Sequence, residues 1–315
     1  MAASSVPPRM RALLAAAAPV AEVFTTAGHA VYLVGGSVRD AIVGDVDLDE
    51  IDLDLTTDAR PDEILRLVRP VADAVWEQGR AFGTIGVRAG GRTFEITTHR
   101  AEVYREDSRK PTVTYGDDVE VDLSRRDFTI NAMALDLATL RLVDPFEGAA
   151  DLAQRRLATP LSPEVSFSDD PLRMLRAARF LARFELEPDP GLVRAATELA
   201  PRLAIVSAER IRDELDRALM VDVPSVALWF IVRTGLSNQF LPELDALALE
   251  QDPIHRHKDV LAHTLAVVDK TSKERLLRLA ALFHDIGKPR TRAITDGGVS
   301  FHHHEVVGAR MTRTR

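Results

Sequence analysis

The sequence predicts an α+β protein, in which a head built on a mixed β-sheet is followed by all-helical domains. Three observations predict it. Residues 30–100 consist of short apolar runs punctuated by glycine. After about residue 150 nearly every segment has helical periodicity. Those segments are separated by proline-bearing breaks, TPLSPE, EPDPG, DVPS, LPEL and QDPIH. At 315 residues, 46% hydrophobic and 28% charged, the chain buries a substantial core and divides into two or three domains.

The elements follow in order. PRMRALLAAAAPVAEVF has Arg9 and Arg11 ahead of an Ala/Leu run, as a secretory signal does. As a helix it places Leu13, Val20 and Phe24 on one stripe with Glu22 off it, which is the expected reading of residues 1–28. AVYLVGG is a buried strand entering a tight turn, and IDLDLTT is a second strand. PDEILRLV opens with Pro61 and acidic residues, a helix start. TIGVRAGGRTFEITT reads as a hairpin closed by Ala89, Gly90 and Gly91. The expected organisation is an N-terminal helix (1–28), a head (29–150), a helical neck (151–248) and a further helical domain (249–315).

Composition narrows the chemistry. The chain has no cysteine, which excludes disulfides and thiolate metal ligands or nucleophiles and fits a reducing compartment such as the cytoplasm. A formal charge of −8 argues against indiscriminate coating of nucleic acid, so any RNA contact rests on a local basic surface. No run approaches the ~18 apolar residues of a membrane span.

The acidic run GDVDLDEIDLDLTT admits three readings. An EF-hand calcium loop starting at Asp45 wants glycine at its sixth position, where Glu50 stands. A solvated acidic edge suits Asp45, Asp47 and Asp49. In a strand, Ile51, Leu53 and Leu55 enter a core while Asp52 and Asp54 share the other face, about 6–7 Å apart at the backbone. That spacing can bracket two divalent cations ~3.5–4 Å apart, as in-line nucleotidyl transfer requires. Spacing alone does not choose among these aspartates. Upstream, LVGGSVRD puts Gly35 and Gly36 where a strand stops and a helix begins, so backbone N–H groups can face a phosphate, with Arg39 adding charge-assisted bonds. A simple tight turn accounts for the glycines equally well.

GGSVRD, DLDLTT, RRDFTINAMALD (Arg125 to Asp136), DPFEG (Asp144 to Gly148) and DDPLRMLRAARF (Asp169 to Phe180) together resemble the bacterial-type (class II) tRNA nucleotidyltransferase and poly(A) polymerase family. SAERIRDEL (Ser207 to Leu215) extends the resemblance into the helical region. It implies a polymerase-β-like head with Asp52 and Asp54 as Mg2+ ligands, and Gly35, Gly36, Arg39 and Arg126 around the nucleotide. Glu95, on the neighbouring strand, is a candidate third carboxylate, with an exposed cross-strand charge as its plain alternative. For Arg126 the plain alternative is a structural salt bridge to Asp127.

In DDPLRMLRAARFLARF, Arg173, Arg176 and Arg179 recur every three residues, while Leu172, Leu175 and Phe180 can face a core. A solvated basic face is the plain reading. The resemblance gives Asp170 and Arg173 the base edge, with Arg176 and Arg179 supporting them or meeting phosphate. Asp only accepts and Arg only donates, which suits the amino donor and ring-nitrogen acceptor shared by cytosine and adenine and rejects guanine and uracil. The resemblance therefore implies CTP and ATP as substrates, the tRNA 3′ end as acceptor, and CCA addition. Poly(A) synthesis and C-only or A-only addition remain open on the same motifs.

Seven of the nine histidines lie after residue 250: His255, His257, His263, His284, His302, His303 and His304. HTLAVVD and LFHDIGKPR resemble an HD domain, which implies His263, His284 and Asp285 as metal ligands. Its final Asp is not evident before Arg315, so the HD-like region reads as incomplete. An HD-type metal phosphohydrolase is the alternative from another functional class.

Overall fold

The computed structural model describes residues 8–44, 53–105, 108–249, 259–295 and 298–314. The chain divides into two compact units, Met1–Ser162 and Pro163–Arg315.

In the first unit, α1 (Pro8–Thr26) opens the chain, with Leu13, Val20 and Phe24 fully buried as the stripe requires. Next come β1 (Val31–Val34), α2 (Gly36–Val43), β2 (Leu53–Thr57) and α3 (Pro61–Val68). The strands β3 (Ala74–Trp76), β4 (Thr84–Ala89) and β5 (Arg92–Thr98) follow, then a hairpin of β6 (Arg100–Arg105) and β7 (Ser108–Tyr115). Finally come α4 (Val119–Ser124), β8 (Ala134–Asp136), β9 (Leu142–Val143) and α5 (Gly148–Ala153).

Seven strands form one mixed sheet in the order β3-β4-β5-β2-β1-β8-β9. Its one parallel pair is β2 with β5; the other pairings are antiparallel. The β4–β5 turn is tighter than the sequence suggests. Ala89 pairs with Arg92, leaving a two-residue turn of Gly90 and Gly91 at φ +57° and +76°. Two consecutive positive φ values match the right-handed twist of a hairpin and are accessible to glycine without strain.

One core cluster joins Leu13, Val20 and Phe24 of α1 and Ile64 and Val68 of α3 to Leu33, Leu53, Leu55, Ile85, Val87, Phe94 and Ile96 of the sheet. The apolar alternation of β2 and β5 is thus used on the helix-covered face. Asp54 and Glu95 are left to the opposite one.

The second unit is mostly helical: α6 (Pro163–Asp169), α7 (Leu172–Arg183), α8 (Pro190–Leu199), α9 (Ala208–Leu219), α10 (Pro224–Arg233), α11 (Ser237–Phe240) and α12 (Pro242–Asp245). It continues with α13 (Val260–Lys270), α14 (Arg275–Phe283), α15 (Lys288–Thr291) and α16 (His304–Arg313), with a short hairpin of Ala293–Thr295 and Gly298–Ser300 before the last. Prolines open α6, α8, α10 and α12, where the missing N–H costs nothing. Leu219, Leu228, Leu244, Leu261, Leu265, Val268 and Leu282 make one of its cores. No helix among the described residues is long and apolar enough to cross a membrane.

Candidate active site

β2 fixes the place of one residue of the acidic run, Asp54. Leu53 and Leu55 are fully buried and Asp54 between them is half-buried, on the face away from the main core. Asp54 stands in register with Glu95 of β5. Because the pair is parallel, two residues in register point to the same face, and the exposed Glu95 therefore adds a second carboxylate beside Asp54. Asp52, with residues 45–51, lies outside the described residues.

The glycine turn is built for this place. Gly35 adopts φ +71° and ψ −135°, a combination reserved for glycine, and α2 starts at the next residue. A Cβ on Gly35 would lie 2.9 Å from Arg126 Nη1 and 3.7 Å from Asp54 Oδ2. Backbone turn, carboxylate and guanidinium thus converge on one point. Hydrogen in place of a side chain keeps that point open.

The arginines of the head differ in freedom. Arg39 is 5% exposed; its Nε donates to Asp40 Oδ1 at 2.8 Å and its Nη1 to Asn131 Oδ1. Asn131 Nδ2 in turn donates to Asp127 Oδ1 at 2.9 Å. Arg39 therefore ties α2 to the RRDFTIN segment from inside. Arg126 faces Asp122 at 3.6 Å. Asp122 is fully buried and accepts from Arg125 Nε at 3.1 Å and Nη2 at 2.9 Å. Burial pushes its pKa up, but Arg125 and Arg126 outweigh burial and hold it below the usual carboxylate range. A neighbouring imidazole, His99, is fully buried, bonded to Thr56 Oγ1 at 2.8 Å and pushed down in pKa by burial.

The second unit holds the other predicted residues. Asp170 Oδ1 accepts the Leu172 N–H at 3.2 Å at the start of α7, and Arg210 of α9 pairs with Asp170 Oδ2 at 2.9 Å. Arg173 is 9% exposed and donates through Nη1 to Ser166 Oγ at 3.0 Å. Arg179 is 8% exposed, bonded through Nε to Glu214 Oε1 and stacked on Phe180 at 4.4 Å. The solvated basic face is thus not what forms; only Arg176 is half-exposed. Arg179 is a framing residue. Burial pulls its pKa down, while Glu214 opposes that shift.

Asp122, Asn131, Arg210 and Glu214 have no role that the sequence motifs point to. Spacing carried a signal for the last two, since Arg210 and Glu214 are four apart in SAERIRDEL and share a helix face. Nothing local indicates their partners.

The histidine-rich end forms a cluster. Ligand atoms of His263 on α13, His284 just after α14, and Asp285 all lie within 4.8 Å of one another. His284 Nδ1 is hydrogen-bonded to Ala281 O at 2.7 Å, which turns Nε2 towards Asp285 at 3.2 Å. Two imidazoles and a carboxylate suit a divalent cation. Lys288 Nζ already donates to Asp285 Oδ2 at 2.7 Å, and His304 Nε2 stands 3.7 Å from Oδ1. Burial pushes the Asp285 pKa up, but His284 and Lys288 override it and bring it to about 2. His255 and His257 lie outside the described residues.

Fold and site together are those of a polymerase-type head. Residues 31–158 match the poly A polymerase head domain, 184–247 the probable RNA and SrmB-binding site of polymerase A, and 257–315 the HD domain. The chain is 39% identical over 237 residues to the CCA-adding enzyme of Bacillus licheniformis, covering 75% of this chain and 57% of that one. Against the CCA-adding enzyme of a Geobacillus strain it is 40% identical over 211 residues, covering 66% and 50%. The chain thus spans about half the length of these curated relatives. The crystal structure of the Bacillus stearothermophilus CCA-adding enzyme in complex with CTP superposes with a TM-score of 0.70 at 28% identity, over 90% of this chain and 65% of that one. The Thermotoga maritima CCA-adding enzyme complexed with tRNA gives 0.60 at 26% identity, over 77% and 56%. The chain thus carries a poly A polymerase head domain, the adjoining RNA-binding region and an HD-domain match, and over three quarters of its length it is similar to CCA-adding enzymes.

Proposed function

We propose that this protein is a template-independent nucleotidyltransferase that adds C, C and A to the 3′ end of tRNA from CTP and ATP, releasing pyrophosphate, in the cytoplasm. The convergence of Asp54, Gly35 and Arg126 on one point, with Glu95 in register beside Asp54, carries the reading. The CCA-adding relatives, one structure of which contains CTP and another tRNA, support it. Carboxylate oxygens are the donors Mg2+ prefers, so Asp54 fits it together with Asp52, and Glu95 beside Asp54 is the candidate third carboxylate. When bound, Mg2+ supplies positive charge at the triphosphate and favours ionisation of the attacking hydroxyl.

The chain's own residues do the rest. The Gly35–Gly36 turn leaves room for backbone N–H groups to approach phosphate oxygens, and Arg126 offsets the charge that grows on the leaving pyrophosphate. Arg39, held by Asn131 and Asp40, keeps the turn in shape. Asp170 accepts from, and Arg173 donates to, the edge of the incoming base. The match to a poly A polymerase head keeps polyadenylation as the second reading. In the HD-like cluster the Lys288 ammonium already compensates Asp285, which favours a structural centre over a phosphohydrolase.

The test uses labelled tRNA lacking its CCA end, Mg2+, and CTP and ATP singly and together. Three added nucleotides are expected with both and two with CTP alone. A long adenosine ladder selects polyadenylation, and phosphate release without extension selects hydrolysis. Asp54→Asn should remove extension while leaving the circular dichroism spectrum and Tm close to wild type; retained turnover rules out the carboxylate site.

A further inference from the structure

Two ion pairs join α7 and its N-terminal lead to α9, and they differ in kind. Arg179 with Glu214 is sealed, the side chains 9% and 3% exposed. Arg210 with Asp170 borders solvent, the side chains 34% and 21% exposed. The sealed pair fixes how the helices pack. The open pair sits where a ligand can reach it.

Arg210 grips both oxygens of Asp170 as a fork: Nη2 to Oδ2 at 2.9 Å and Nη1 to Oδ1 at 3.4 Å. Oδ1 also accepts the Leu172 N–H at 3.2 Å. A carboxylate has roughly four acceptor positions, so among the described residues these three bonds leave one, on Oδ2. Asp χ2 is otherwise a soft, nearly two-fold torsion, and a single bond from Leu172 would leave the carboxylate plane free to turn. The guanidinium fork holds the plane and selects which oxygen stays open.

We infer that Arg210 is a specificity-determining positioning residue, which fixes Asp170 so that its remaining acceptor position meets the exocyclic amino group of cytosine or adenine. This rests on the reading of Asp170 as the base reader. An amino group donates into that position. The carbonyl of uracil or guanine would bring a second acceptor against it, and a fixed carboxylate cannot turn aside to relieve the repulsion. Lysine at the same place keeps the charge but loses the fork.

The experiment measures equilibrium binding of CTP, ATP, UTP and GTP to the full chain with Mg2+, alongside Tm, for wild type, Arg210→Gln, Arg210→Lys, Asp170→Ala and Glu214→Gln. Arg210→Gln should cut the preference for CTP over UTP by about tenfold with little change in Tm. Arg210→Lys should recover part of the preference. Glu214→Gln should lower Tm and weaken all four nucleotides alike. Equal weakening of all four nucleotides in Arg210→Gln, or an unchanged preference, overturns the inference. If Asp170→Ala collapses the preference while Arg210→Gln does not, only the role of Arg210 falls. If Asp170→Ala leaves the preference intact, or the wild type shows none, the reading of Asp170 falls with it.

Discussion

Gly35 shows how much of the site depends on one missing side chain. At φ +71° and ψ −135° any L-residue is strained, and its Cβ would lie 2.9 Å from the Arg126 guanidinium. Gly35→Ala should therefore lose about 1–3 kcal/mol of stability. It should also weaken CTP binding, because Arg126 must retreat from the point it shares with Asp54. Denaturant unfolding and nucleotide titration of the same variant check both halves; full nucleotide affinity would show that the guanidinium position does not matter. This residue was legible in the sequence, since two glycines directly after an apolar strand signal a turn. Arg179 was not: every-third spacing suggested a solvated stripe, and its partner Glu214 is 35 positions away. For Arg126 the sequence offers the adjacent Asp127 as a plain structural partner, and the turn of α4 adds Asp122, four positions away.

At the scale of elements, the turn between α1 and β1 is clamped to the end of β2 and to α3 by His29. Its Nδ1 lies 2.9 Å from Asp58 Oδ1 and its Nε2 3.2 Å from Glu63 Oε1. Burial pulls the His29 pKa down, but the bonds and charges of Asp58 and Glu63 overcome it and raise it above 6.5. A raised folded-state pKa means that this contribution is fully present below about pH 6.5 and is lost as pH rises through the folded value. Glu63 is lowered, chiefly by His29 and Arg66, so its part holds above about pH 4.5 and fades on further acidification. His29→Gln should thus lower Tm most near pH 5.5–6 and least near pH 8.5, read by parallel melts; a pH-independent difference would remove the ionic clamp. The long periodic elements, α1, β2, α3 and the β4–β5 hairpin, were readable from pattern. β3, β8 and β9 are two or three residues long and exist through their sheet partners, so no period reveals them.

For the molecule as a whole, 48 acidic against 40 basic residues mean that RNA can be held only where basic groups gather locally. Contact with about three phosphates predicts a roughly 20- to 40-fold loss of tRNA affinity between 50 and 200 mM salt, whereas broad electrostatic coating would lose far more. Filter binding across that range separates the two. The sequence by itself determined the change from sheet to helix, the glycine turn, the alternation that sends Asp54 away from the core, and the crowding of histidines after residue 250. Each is a local matter of period, backbone freedom or residue chemistry. Only the tertiary structure decided that Glu95 lies in register with Asp54, that Arg126 closes on Gly35, that Arg210 grips Asp170 and that Lys288 compensates Asp285. The first three pairings join residues tens of positions apart, and the last depends on the turn after α14. Which charge meets which is settled by how strands and helices pack, because an ion pair reads distance in space and carries no trace of separation along the chain.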